Sequence, residues 1–224
     1  MKQSDHGLAG FFNTIMAILR KGYSSWYVPI VTKIADTQRD PFQVLIATII
    51  SLRTKDDVTA AASERLFGLA RTPERMARLS EHAIRTAIFP AGFYKTKART
   101  IISVCAKLES QYNGRVPDTL EELLAFKGVG RKTANLVLGE GFGIPAICVD
   151  THVHRISNRF GVVHTKTPEE TEFALREILP KKHWIRYNTF LVAFGQNVCK
   201  PISPLCSACR VRKYCKRVNV TRAR

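Results

Sequence analysis

Apolar residues recur at three- and four-residue intervals along nearly all of this 224-residue chain, and the alternating Val, Ile and Thr runs that mark β-strands are missing. A chain with that period buries its apolar side chains as helix stripes, so an all-α fold is predicted. The spacing predicts helices over residues 8–21, 42–52, 56–69, 73–79, 81–88, 95–112, 119–126, 131–139, 151–160, 168–178 and 184–198. Thr72 ahead of Pro73 and Glu74, and Thr167 ahead of Pro168, Glu169 and Glu170, are helix-start signals. Many short helices, with no repeat at a fixed period, exclude a long coiled coil, a symmetric four-helix bundle or a solenoid. An irregular helical globule in two lobes fits the pattern.

Lys and Arg outnumber Asp and Glu by 35 to 18, a formal charge of +17, while a hydrophobic content of 45% excludes a disordered basic tail. Such a folded polycation suits a polyanion, because each cation set near a phosphate releases condensed counterions. From Lys181 to Arg224 there are eleven basic residues and no acidic one. Trp184, Tyr187, Phe190 and Phe194 in the same stretch need burial, so at least its first half is expected to be packed rather than a solvated tail. No apolar run approaches the roughly 20 residues of a membrane span. The apolar stretch 8–19 is interrupted by Asn13 and Thr14 and lacks a cleavage site, so an intracellular address without a secretion signal is expected. In that reducing setting six cysteines point to metal or catalysis rather than disulfides.

Residues 123–134, Leu-Leu-Ala-Phe-Lys-Gly-Val-Gly-Arg-Lys-Thr-Ala, read as helix, tight turn, helix. Gly128 and Gly130 around Val129 permit positive φ and uncovered amides, and those amides open the next helix at Arg131, where the helix dipole also favours a phosphate. On spacing alone, an ordinary helix cap followed by a new helix is the better reading. Two further residues carry chemistry. Lys132 offers an amine able to attack a sugar C1′ and form a Schiff base, provided that burial and the neighbouring charge of Arg131 leave it unprotonated. Asp150 precedes a helix start, where it can accept amide hydrogen bonds and be held as an anion against a cationic sugar. Singly, Lys132 reads as a phosphate contact and Asp150 as a cap.

Cys199, Cys206, Cys209 and Cys215 have the spacing C-x6-C-x2-C-x5-C, which fits either a cubane 4Fe-4S cluster or a tetrahedral zinc. Lys200, Arg210, Arg212 and Lys213 between them would make the loop cationic. Cys105 and Cys148 sit among apolar residues and read as buried thiols.

The run from the Gly-Val-Gly turn through Arg131-Lys132-Thr133 to Val149-Asp150-Thr151-His152, with the cysteine loop, resembles the endonuclease III family of helix-hairpin-helix DNA glycosylases. The resemblance extends from about Pro41 to Cys215. It implies a two-lobed fold in which residues 34–144 form a six-helix domain with the hairpin at about 123–141. Residues 1–33 and 145–224 would form a cluster domain, with the cluster loop at 199–215 and DNA crossing the cleft between the lobes. It implies a 4Fe-4S cluster, Lys132 as nucleophile and Asp150 as catalytic carboxylate; adenine glycosylases of the MutY type lack such a lysine. It implies removal of oxidised pyrimidines from duplex DNA followed by β-elimination at the abasic site, by a monomer with no membrane partner, nucleoid-associated if prokaryotic. A monofunctional mismatch glycosylase and a non-catalytic, metal-stapled DNA-binding protein are the alternatives.

The segments 51–56 and 91–94 lie where the family carries loops that wedge into DNA, making Arg53 and Phe93 the candidates, against a surface arginine and a core phenylalanine. The family commonly has glutamine and an aliphatic residue there, and proline at Lys127. These departures bear on gap filling and substrate range.

Overall fold

The computed structural model describes residues 5–26 and 28–224, and among them all regular secondary structure is helical, with no strand. The first four residues of the expected 1–33 segment lie outside the described residues. The α-helices among the described residues run in order: α1 Asp5–Tyr23, α2 Ile30–Gln38, α3 Pro41–Ser51, α4 Asp56–Leu69, α5 Pro73–Ala77, α6 Glu81–Ile88, α7 Tyr94–Tyr112, α8 Leu120–Leu124, α9 Arg131–Leu136, α10 Thr151–Phe160, α11 Pro168–Ile178 and α12 Trp184–Asn197. Among the described residues no helix is long and apolar enough to cross a membrane.

Four predicted spans, 56–69, 81–88, 151–160 and 168–178, coincide with observed helices. Two departures have physical reasons. Helix α2 falls where the sequence predicts none. Its opening Ile30-Val31-Thr32 is β-branched and poor in helix propensity, and its first amide is satisfied from elsewhere: Ile30 N donates to Asp56 Oδ2 at 2.9 Å. The helix expected over 131–139 is α-helical only to Leu136, after which Val137–Phe142 widens into a π-helical turn. That turn lies so close to the start of α3 that a Cβ on Gly141 would stand 3.0 Å from Pro41 Cα.

The chain divides into two compact units, Ile30–Ile144 and Met1–Pro29 with Pro145–Arg224. The first is organised on α3, whose Val44, Leu45, Ile46, Ala47, Ile49 and Ile50 are buried and whose neighbours are α2, α4, α7, α9 and the π-helical turn. Asp40 caps this helix, accepting from Phe42 N at 2.9 Å ahead of Pro41. In the second unit α1, α10 and α12 share a core that includes Phe12, Ile15, Leu19, Ile156, Phe160 and Leu191. The buried Tyr187 hydroxyl lies 3.0 Å from Ser157 Oγ, so one polar pair inside this core is satisfied.

Candidate active site and DNA-binding elements

The hairpin is built within the first unit. Thr119 caps α8 by accepting from Glu122 N, and its hydroxyl donates to Glu122 Oε2 at 2.6 Å. Lys107 donates to Ala125 O at 2.9 Å, its ammonium 4.8 Å from the Phe126 ring centre, which fixes the end of α8. Val129 N closes the turn on Phe126 O at 3.0 Å. Of the two glycines that permit positive φ, Gly128 adopts it, at +87°, and a Cβ there would meet Thr100 Cγ2 at 2.7 Å. Gly130 is extended (φ −96°, ψ 177°) with open space beside it, because it serves as the N-cap of α9. Val129 is buried between the two exposed glycines. Arg131 and Lys132, half-buried, form the first turn of α9.

Also in this unit, Arg53 and Phe93 come together. Both adopt left-handed backbone (φ 52° and 57°), and the Arg53 guanidinium lies 5.6 Å from the Phe93 ring centre. Phe93 is 63% exposed, which excludes the core reading. The residue that sequence reasoning missed is Lys97, buried one turn into α7, whose ammonium donates to Ile50 O, Leu52 O and Thr54 Oγ1. Its signal was present: 97, 101, 104 and 108 form the core stripe of α7, and a lysine breaks it.

In the second unit Asp150 is the N-cap of α10, its Oδ1 accepting from His152 N and Val153 N, both at 2.9 Å. Two arginines that the sequence reading passed over tie the same helix to the cysteine loop. Arg155 Nη2 donates to Cys199 O at 2.9 Å; Arg159 Nη1 donates to Lys200 O at 2.8 Å and to Cys199 Sγ at 3.3 Å. Burial works against the Arg155 charge, while Cys199 and Asp150 support it. A Cβ on Gly195 would collide with His152 Nδ1, so α12 approaches α10 closely here.

Cys199, Cys206, Cys209 and Cys215 all line one cavity, walled by apolar residues including Phe160, Phe194 and Val211. Burial pushes the Cys209 thiol up to about 11, the other three cysteines adding to it, and burial also raises Cys215. Among the described residues no three His, Cys, Asp or Glu side chains form a group that would hold a metal ion. Beside the cavity, Arg210, Arg212, Lys213 and Arg217 line an open depression of about 430 Å³. Cys105 and Cys148 are buried away from this loop in sequence, and burial pushes Cys105 up to about 12.

A family model described as HhH-GPD superfamily base excision DNA repair protein matches residues 46–181. Endonuclease III of Thermotoga maritima is 50% identical over 179 residues, covering 80% of this chain and 84% of that protein. Among solved structures, a non-covalent endonuclease III–DNA complex matches with a TM-score of 0.81 at 34% identity, covering 92% of this chain and 94% of that one. A trapped endonuclease III–DNA covalent intermediate matches with a TM-score of 0.77, also at 34% identity, over 92% and 95% of the two chains.

Proposed function

We infer the reaction from one premise: the chain belongs to the endonuclease III family of HhH-GPD base excision DNA repair proteins. It is a DNA glycosylase, and the family's typical second activity is cleavage at abasic sites. We assign it to oxidised pyrimidines in duplex DNA, with Lys132 as nucleophile and Asp150 as the carboxylate. The Lys132 amine attacks C1′, and the C1′–N bond breaks with its electron pair leaving on the base, which takes up a proton. The C1′–O4′ bond then breaks, O4′ taking its electron pair and a proton while the nitrogen lone pair forms the C1′=N iminium, which acidifies C2′; loss of a C2′ proton expels the 3′ phosphate by β-elimination, and water then releases the amine. Asp150, held as an N-cap, supplies negative charge against the oxocarbenium-like sugar and takes part in the proton transfers.

The observation that carries this reading is Lys132 in the first turn of α9, directly behind the Gly128 turn. A relative of 34% identity, trapped covalently on DNA, supports it. The exposed backbone of Gly128 and Gly130, with Arg131, suits a DNA phosphate, and the cationic depression beside the cysteines suits a second. Arg53 and Phe93 are read as the gap-filling pair.

Four thiols sharing one cavity fit a group that binds them as thiolates. We assign Cys199, Cys206, Cys209 and Cys215 to a 4Fe-4S cluster; a cubane takes one thiolate on each iron, so it does not demand the tight grouping of a single ion. When bound, the cluster supplies a covalent staple for this loop rather than turnover chemistry. The protein is read as a monomer acting on DNA, nucleoid-associated if prokaryotic.

Borohydride reduction in the presence of damaged duplex tests the assignment. The wild type is expected to crosslink and Lys132→Ala is not; persistence of the adduct in the variant refutes it. A gel panel carrying thymine glycol, 5-hydroxyuracil, uracil, 8-oxoguanine and abasic sites, with and without alkali, reads the substrate class and the lyase step together.

A further inference from the structure

The two loops that carry Arg53 and Phe93 are each irregular, and one buried cation joins them. Lys97 is 6% exposed, and its ammonium has three donors and three oxygen partners: Ile50 O at 2.6 Å, Leu52 O at 2.5 Å and Thr54 Oγ1 at 2.7 Å. The two carbonyls terminate α3, where a helix presents unsatisfied acceptors and favours positive charge. Thr54 Oγ1 also accepts from Gly92 N at 3.1 Å, so this hydroxyl links the ammonium to the second loop. Gly92 has no room for a Cβ against Arg53 O, so the loops touch backbone to backbone. On the other side Lys97 N donates to Phe93 O at 3.0 Å, seating Phe93 at the start of α7. Burial pushes the ammonium down to about 8, an opposition that three charge-assisted hydrogen bonds offset.

Local turn hydrogen bonds close each loop, Thr54 N donating to Ser51 O and Tyr94 N to Ala91 O, both at 3.1 Å, but each loop also carries a strained residue. Arg53 and Phe93 both sit at positive φ without being glycine, a conformation that persists only where surrounding contacts enforce it. The Lys97–Thr54–Gly92 chain supplies those contacts for both at once.

We propose that Lys97 is a positioning residue, a buried clamp that locks loop 52–55 to loop 91–94 so that Arg53 and Phe93 enter DNA as one prestacked unit. This rests on the reading that the pair contacts DNA. Two side chains held together in advance lose less freedom on binding than two independent ones, so the clamp contributes to affinity without touching DNA.

The test uses the full chain with a duplex bearing a tetrahydrofuran abasic analogue, which an amine does not cleave, and 2-aminopurine opposite it to report unstacking. Lys97→Met and Thr54→Val are expected to weaken binding about tenfold, the loss of roughly one charge-assisted hydrogen bond, and to reduce the fluorescence gain. In the free protein, amide exchange in 52–55 and 91–94 is expected to accelerate together while α3 stays protected. In an Arg53→Ala, Phe93→Ala background, Lys97→Met is expected to add no further loss of affinity. An equal further loss there, or acceleration confined to one loop, overturns the clamp while leaving the DNA-contacting pair intact. If Arg53→Ala, Phe93→Ala alone changes neither affinity nor fluorescence, the pair's DNA contact is refuted and the role of Lys97 falls with it. Should Lys97→Met fail to fold, Thr54→Val decides the same questions.

Discussion

Asp150 holds two roles that substitution separates. Its Oδ1 accepts two amide hydrogen bonds, from His152 N and Val153 N, both at 2.9 Å. Asparagine retains a side-chain oxygen in that place and loses only the charge at the helix start, a cost of about 0.3–1 kcal/mol. Alanine loses the cap as well, for a total of about 1–2 kcal/mol. For a chain of this size each kcal/mol moves the melting temperature by about 2–4 °C, so Asp150→Asn is expected to melt about 1–4 °C below wild type and Asp150→Ala about 2–8 °C below it. Activity divides differently. A carboxylate that stabilises a cationic sugar and moves protons is worth about 10²–10⁴-fold, so both variants are expected to lose at least a hundredfold in single-turnover base release, with abasic-duplex affinity held within a few-fold. Thermal melts by circular dichroism, single-turnover gels and a binding titration measure the three quantities. An Asp150→Asn variant that keeps near-wild-type base release refutes the catalytic role. Activity that falls only in proportion to melting temperature across the two variants leaves Asp150 as a cap alone.

The two hairpin glycines are expected to respond unequally. Gly128→Ala places a Cβ at positive φ against the Thr100 methyl and costs about 1–2 kcal/mol or more, with weakened DNA binding, whereas Gly130→Ala at ordinary φ costs less than about 1 kcal/mol. Equal destabilisation in urea melts refutes the turn geometry. Lys97 has a pH signature: burial lowers it from 10.5 to about 8, so between those values the unfolded chain holds a proton the folded chain has shed, and unfolding free energy rises with pH. Lys97→Met removes that increment, and a wild-type-minus-variant difference that stays flat or falls across the window refutes it. Cys206→Ser and Cys209→Ser are expected to lower iron and acid-labile sulfide per chain together; stoichiometric zinc without sulfide in the wild type refutes the cluster.

Helices α4, α6, α10 and α11 were legible because their determinants are local. Ser80, Asp150 and Thr167 sit within three residues of the amides they cap, and the apolar stripe repeats within one turn. The hairpin, the candidate lysine and aspartate, and the cysteine spacing were legible for the same reason, as short runs of particular residue types. Helix α2 was not legible, because the carboxylate that satisfies Ile30 lies 26 residues away on α4. Which glycine takes positive φ was not legible either, since Gly128 and Gly130 are the same residue type and differ in what Thr100 and α9 require of them.

The sequence by itself determined the helical class, the charge and the chemical inventory, because periodicity, caps and residue type act over a few positions of chain. Only tertiary structure decided which of those groups meet. It brought four thiols from residues 199–215 onto one cavity, turned Arg155 and Arg159 from helix α10 onto that loop, and buried Lys97 beneath two loops whose contacting residues, Thr54 and Gly92, lie 38 apart in the chain. The physical reason is that a buried cation must find its acceptors wherever packing supplies them, and no local pattern encodes partners that distant.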